Sequence, residues 1–283
     1  MSAGRSGGSA RERRQGLWLT LLLLPVALLW LAPLYLMAVF ATQPDEAILS
    51  ASVPLRPGGE LLANLARIVE IARFDRALVN SVLVALAYAL LSAGLSSLAG
   101  YAFARYRFRG KGALFGLLVA TLTVPYAVVI IPQYVLVARD LSLANTLIAV
   151  VVPPLFNALG VLFMRQTFLG LPQEIVEAAR LDGASELRIF LRIALPLVRP
   201  ALAALFIILF LASWNNYLWP LLVAPDPAAR TAPVALGSLI TVNSVPPWGA
   251  LMSGATLMTL PMVALFVFLQ RQFVSGITAG AVK

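Results

Sequence analysis

Long apolar stretches separated by short charged ones set the rhythm of this chain. Stretches without Asp, Glu, Lys or Arg fall at 17–40, 77–104, 112–138, 141–164 and 200–225. At about 1.5 Å of rise per residue, each can cross roughly 30 Å of hydrocarbon as a helix. A further charge-free stretch, 231–270, is too long for one crossing and is interrupted by Pro246-Pro247-Trp248, which leaves 249–270 as the helix. The pattern therefore predicts six transmembrane helices and an all-α polytopic membrane protein.

The polar positions between and within these stretches refine the picture. Residues 1–16 are rich in Gly, Ser and Arg and read as an irregular tail; the first span, 17–40, contains Pro25 and Pro33. In the 41–76 segment, Leu61, Leu65, Ile68, Val69 and Ala72 recur at helical spacing among Glu60, Asn64, Arg67 and Arg73, which predicts a short amphipathic surface helix. The second span has Ser92, Ser96 and Gly100 at four-residue steps, a pattern that lets helices approach closely. Pro125, Pro132, Pro153 and Pro154 bend or break the third and fourth spans near the isolated polar groups Gln133 and Asn157. The fifth has the densest polar cluster, Ser213-Trp214-Asn215-Asn216-Tyr217. An amide in hydrocarbon must face protein, water or ligand, so Asn215, Asn216, Tyr217, Gln133 and Asn157 are candidates for lining a pathway; hydrogen bonding between helices is the alternative.

Charge supplies the orientation. The chain has 21 Lys and Arg, 12 Asp and Glu, and a formal net charge of +9. Basic residues crowd into the first 16 positions, the 105–111 turn, the 165–199 island and the C-terminal end, while the alternate segments hold only Arg56, Arg67, Arg73, Arg76, Arg139 and Arg230. The positive-inside rule puts both termini and the island in the cytoplasm. The positive charge thus reports topology, and nucleic acid is not an expected partner. With no Cys and no His there is no disulfide, no thiolate metal site and no imidazole base. No G-x-x-x-x-G-K-[ST] phosphate loop is present, and no carboxylate lies inside the clear spans to run a proton relay. The chain reads as a non-enzyme, and any pumping must draw its energy from another chain.

The island holds the most deliberate spacing. Pro172 suits a helix start, Gln173 and Glu174 follow it, and Gly183 can take the left-handed cap that ends the helix near Asp182. Ser185 can cap a second helix from Glu186 to about Leu195, closed by Pro196 and Pro200. In the first helix, charged Glu174, Glu177, Arg180 and Asp182 stand beside small Ala178 and Ala179. Two readings fit: a helix lying on the bilayer, or one docked in a groove of another protein.

The motif E-A-A-x-x-x-G followed by I-x-L-P, here Glu177-Ala178-Ala179, Gly183 and Ile193-Ala194-Leu195-Pro196, closely resembles the cytoplasmic coupling loop of permease subunits of bacterial ATP-binding-cassette importers. Asn80-Ser81, Tyr101-Ala102-Phe103-Ala104-Arg105, Phe108-Arg109-Gly110, Trp214-Asn215-Asn216, Trp219-Pro220-Leu221 and the tail from Gln270 to Lys283 extend the resemblance over about 75–283. They resemble the carbohydrate-uptake branch, its maltose-type shorter permease in particular.

The resemblance implies a type I importer permease fold in the bacterial cytoplasmic membrane. Its parts would be a cytoplasmic tail (1–16), a first helix (17–40), an extracytoplasmic loop (41–76), a five-helix core (77–271) containing the coupling loop 171–199, and a cytoplasmic tail (272–283). It implies coupling contacts through Glu177, Ala178, Ala179, Asp182, Gly183, Leu195 and Pro196. The implied partners are a second permease, a dimeric cytoplasmic ATPase that binds the ATP and Mg, and an extracytoplasmic sugar-binding protein, all assembled around the lipid bilayer. The chain itself would carry no cofactor. The solute would be a sugar, with an amino acid, peptide or anion permease, or a passive channel, as alternatives.

Overall fold

The computed structural model describes residues 7–240 and 245–281, with side chains from 18 to 240 and 245 to 268. Among these residues all regular structure is helical. In chain order the helices are α1 (Gly7–Phe40), α2 (Asp45–Ile48), α3 (Leu61–Ala72), α4 (Phe74–Arg105), α5 (Lys111–Thr121), α6 (Tyr126–Tyr134), α7 (Leu147–Val151), α8 (Ala158–Leu169), α9 (Gln173–Leu181), α10 (Glu186–Ile189), α11 (Leu195–Leu197), α12 (Arg199–Trp214), α13 (Leu218–Val223), α14 (Ala232–Gly237) and α15 (Trp248–Ala281). Three helices are long and apolar enough to cross a membrane: Trp18–Phe40, Phe74–Arg105 and Trp248–Phe268. Counting three sharply bent pairs, 111–121 with 126–140, 147–155 with 158–169 and 186–197 with 199–214, as one crossing each raises the number to at most six by length and composition.

Two boundaries differ from the hydropathy reading. Helix α1 begins at Gly7, inside the stretch read as an irregular tail, and α15 continues to Ala281, past the end of its apolar run. The apolar run sets where a helix can enter lipid, whereas Arg, Glu and Gln around 11–15 and 270–272 favour helix and let it continue into polar surroundings. Residues 1–6, 282 and 283 lie outside the described residues.

The chain divides into two compact units, residues 1–70 with 241–257 and residues 71–240 with 258–283. In the first, α3 is the amphipathic helix that the 41–76 spacing predicts. Its Asn64 is buried and donates to the carbonyls of Ala41 (3.0 Å) and Gln43 (2.9 Å), while Arg67 pairs with Asp45 at 2.8 Å. Asp45 also accepts the Gly249 amide at 2.8 Å. The 41–72 segment is therefore tied down chiefly by the buried bonds of Asn64, which cost most to break because water cannot replace them.

In the second unit α4 is the central post, packed mainly against α8 and α12. Its Ser96 and Gly100 face α8 and Ser92 faces the 153–155 turn before it, on one stripe as their four-residue spacing suggests. Ser92 Oγ donates to Leu155 O at 3.0 Å, Ser96 lies against Gly160, and Gly100 lies against Met164. The proline-marked spans are broken. Helices α5 and α6 meet at 94° just before Pro125, and the 147–155 and 158–169 segments meet at 49° beside Pro153, Pro154 and Asn157. A π-helical segment, Val135–Asp140, follows the internal Pro132, whose missing N–H interrupts the i→i−4 ladder.

A β-carbon on Gly100 would stand 2.7 Å from Met164 Cβ and 2.8 Å from the Arg165 amide nitrogen, whereas one on Gly94 meets nothing within 4 Å. Gly100→Ala should therefore cost about 1–3 kcal/mol by overpacking. Gly94→Ala should be neutral or stabilising, because alanine is the better helix former by up to about 1 kcal/mol. Thermal unfolding of the purified variants in detergent checks this; equal midpoints for the two would contradict the packing.

Candidate functional site

The island folds as two short arms around a glycine turn. Pro172 occupies the cap position before α9, one residue earlier than the first-turn place expected of it. At the other end Gly183 has φ +77, its amide donates to Arg180 O at 3.0 Å, and the Ala184 amide donates to Ala179 O at 3.0 Å. That pair of bonds is a Schellman cap, and glycine adopts the left-handed conformation without a Cβ penalty. Ser185 precedes α10 with an extended backbone, but its hydroxyl makes no capping bond. The second arm is not one continuous helix to Leu195. It runs through α10, a π segment Phe190–Ala194 and α11, then bends by 82° into α12. Pro196 and Pro200 each remove an amide from the ladder there, which accounts for the irregular winding.

Helix α9 has two distinct faces. Val176 and Ala179 are buried with Ile189 of α10, so Ala179 packs inside the island. The opposite face presents Glu174, Glu177, Ala178 and Leu181, spaced i, i+3, i+4 and i+7, all exposed; Leu181 is 89% exposed. Asp182 and Gly183 continue this exposed surface. Leu195 packs against the main core, and Pro196 is half-buried beside it.

A largely exposed clamp joins the two arms. Arg180 donates to Glu186 from Nε at 2.6 Å and from Nη2 at 3.2 Å, and Tyr106 donates its hydroxyl to the same carboxylate at 3.0 Å. The Arg180 bond holds the Glu186 carboxyl below its ordinary value. Burial, and then the bond to Glu186, pushes the Tyr106 hydroxyl up to about 12, so it stays a donor across ordinary pH. Beneath the clamp Arg105 Nη2 donates to Phe168 O (2.8 Å) and Leu171 O (2.6 Å), closing the C-terminal end of α8. The Tyr101 ring lies 5.2 Å from both Phe168 and Phe190, anchoring the π segment in the core.

The polar candidates inside the spans separate into two groups. Asn157 caps α8, accepting the Gly160 amide at 2.7 Å, and donates to the Tyr88 hydroxyl at 3.3 Å. Asn216 sits in the break between α12 and α13, and with Ser213 and Tyr88 lines a small cavity of about 90 Å³. The breaks of two different helices thus meet at Tyr88 on α4. Asn215 instead turns back to Leu211 O at 3.0 Å, Tyr217 lies against Gly237, and Gln133 is half-buried in α6 away from this cavity. The neighbouring tryptophans are the anchors of the break: both are 1% exposed, with Trp214 Nε1 donating to Met258 O and Trp219 Nε1 to Ala149 O.

Residues 93–279 match the family described as binding-protein-dependent transport system inner membrane component. The chain belongs to that family. It is 41% identical over 208 residues to the arabinooligosaccharides transport system permease protein AraQ of Halalkalibacterium halodurans, covering 72% of each chain. It is 36% identical over 276 residues to the sn-glycerol-3-phosphate transport system permease protein UgpE of Salmonella typhi, covering 94% of this chain and 98% of that one. A chain of a bacterial ABC transporter involved in the import of the acidic polysaccharide alginate has the same fold, with TM-score 0.78 at 21% identity, over 96% of this chain and 99% of that one. The protein is thus an importer permease subunit and not an enzyme, with the type I importer permease fold.

The structure adds three features to the site. Leu181 completes the exposed face at i+7 from Glu174, a position that the helical period could have flagged. Tyr88 bonds Asn157 and shares a cavity with Asn216, but its place midway along an apolar span carries no local signal. Glu186 reads as a first-turn helix acid, and only the folded chain brings Arg180 and Tyr106 to it.

The clamp has a defined response to pH. Because Glu186 lies below its ordinary 4.5, its contribution is fully present above that value and is lost as pH falls through the lowered one. A cysteine at half-buried Ala184, in a chain without other cysteines, should keep constant maleimide reactivity, after correction for thiolate fraction, from neutral pH down to about 4.5 and become more reactive below. In Glu186→Gln the corrected reactivity should already be raised at neutral pH.

Proposed function

We propose that this permease forms half of a transmembrane pathway for a sugar or related carbohydrate, powered by a separate dimeric ATPase that docks on α9. The observation that carries the reading is the exposed face of Glu174, Glu177, Ala178 and Leu181 on a helix whose other face is buried against Ile189 of α10. A large exposed leucine flanked by carboxylates and one small residue suits a groove that closes on the backbone and reads charge at its rim. Glu177, Ala178, Asp182 and Gly183 meet the ATPase in this reading, with Leu181 as apolar anchor. Ala179, Leu195 and Pro196 transmit its movement by packing inward. The ATP and Mg belong to that partner, and a second permease and an extracytoplasmic sugar-binding protein complete the assembly. The relatives named for arabinooligosaccharides and sn-glycerol-3-phosphate support a polyhydroxylated solute. Asn216, Ser213 and Tyr88 supply polar lining, and Asn157 bonds to Tyr88.

The chain crosses the bacterial cytoplasmic membrane six times in this reading, by α1, α4, the bent α5–α6 and α7–α8 pairs, α12–α13 and α15, with both termini and the island in the cytoplasm. The bias of basic residues supports that orientation. Cysteines placed at Arg109 or Arg188 should react with an impermeant maleimide only from the cytoplasmic side, and one at Asp226 only from outside. Matching sidedness at Arg188 and Asp226 would rule it out.

Coupling is tested in the reconstituted complex. Glu177→Lys places a like charge in a partly desolvated cleft, where disturbing a charge pair costs about 2–5 kcal/mol, so co-purification of the ATPase should fall steeply. Leu181→Asp should do the same by removing the apolar anchor. Gly183→Val should leave binding-protein docking intact but uncouple hydrolysis from uptake, because a β-branched residue resists φ +77. A cysteine at Ala178 should cross-link to the ATPase more readily than one at Arg109. Stimulation of ATP hydrolysis by amino acids or peptides, with none by sugars or polyol phosphates, would transfer the permease to another solute class.

A further inference from the structure

Beside α9, the turn after α4 encloses a cavity of about 300 Å³ that the coupling reading does not use. Its polar lining is Arg105, Tyr106, Arg107, Lys111, Gln173 and Arg180: four cations and no carboxylate. Of these four cations only Arg180 is in an ion pair with a described residue, Glu186. Arg105 uses Nη2 on two carbonyls and leaves its Nε buried without a partner. Lys111 donates to Tyr106 O at 2.8 Å, which orients the ammonium but does not neutralise it. Arg107 is exposed and makes no hydrogen bond or ion pair to a described residue. Like charges held together around a half-enclosed space repel, and a buried guanidinium N–H without an acceptor is costly; both are relieved by one anion with several acceptor oxygens.

Depth narrows the chemistry. Residues 77–104 of α4 carry no charge and Arg105 is the first, so the cavity opens where hydrocarbon gives way to headgroups. Phe108 and Leu169 beside it are exposed large apolar groups, suited to acyl chains. We propose that this cavity binds a phosphate group: the headgroup phosphate of an anionic lipid such as phosphatidylglycerol, or free phosphate. A tetrahedral oxyanion bridging Arg105, Arg107 and Lys111 would brace the turn against the start of α9, placing a membrane-sensitive contact next to the coupling helix. The inference rests on the chain lying in a membrane and is independent of which solute it carries.

The test uses the purified full chain in detergent, with phosphatidylglycerol and phosphatidylcholine as competing probes in native mass spectrometry. Phosphatidylglycerol should be retained preferentially. The retention should fall about tenfold or more in Arg107→Gln combined with Lys111→Gln, since two charge-assisted bonds are lost. Arg107→Gln alone, at an exposed side chain without bonds, should give a smaller loss with unchanged thermal unfolding. Arg109→Gln, a cation of the same turn outside the cavity, should leave retention unchanged. Displacement of the lipid by inorganic phosphate in the wild type, absent in the double variant, keeps the site and assigns it to a free anion. Equal retention of the two lipids, or equal losses in Arg107→Gln and Arg109→Gln, would overturn it. Unchanged lipid retention with loss of the ATPase from the assembled complex would also overturn it, by giving the cavity to an acidic side chain of that partner.

Discussion

The close approach of α4 and α8 is the constraint on which the second unit depends. Ser92, Ser96 and Gly100 on one helix and Gly160 on the other leave no room for a further methyl at the tightest points. In lipid there is no hydrophobic force to drive helices together, so contact between backbones and small polar side chains has to supply the attraction. Both α8 and the α7 segment are short and separated by a bend, and neither would hold its place without the long post beside it.

What α4 fixes at its membrane-embedded face it transmits at its charged end. Arg105 grips the last carbonyls of α8, Tyr106 reaches Glu186, and Tyr101 packs on Phe168 and Phe190. A nine-residue helix such as α9 is marginal in water by itself. Here its inner face is buried on Ile189, its end is closed by a Schellman turn at Gly183, and its Arg180 is locked to α10. The outcome is an arm with one free face, joined to α12 through the 82° bend at Val198.

The breaks inside the membrane serve a different purpose. A backbone break in hydrocarbon exposes amides that need partners, and Asn157 satisfies one by capping α8 while Asn216 receives the Trp219 amide at 3.4 Å. Trp214 and Trp219 then wall the α12–α13 break with buried rings whose N–H groups reach neighbouring carbonyls. The polar cavity at Tyr88 is the consequence: irregular backbone is tolerated there because it is enclosed in protein and lined by groups that can bond.

The amino-acid sequence by itself determined the features that depend on local composition. Charge-free length set the apolar helices, proline set the bends at Pro125 and Pro153-Pro154, and a glycine between two charged arms set the turn at Gly183. The small-residue steps on α4 likewise announced close packing, and the family motif at 177–196 was legible because its residues are neighbours in the chain. Tertiary structure decided everything that required distant residues to meet. Ala178 and Ala179, adjacent and alike in sequence, were sorted to opposite faces once α10 buried one of them. The clamp joins Tyr106 to Glu186 across 80 residues, and Asn157 meets Tyr88 across 69. It also decided that Asn215 would bond its own helix while Asn216 faced a cavity. A polar residue in an apolar run announces only that it needs a partner; which partner it finds depends on which helix face the packing turns toward it.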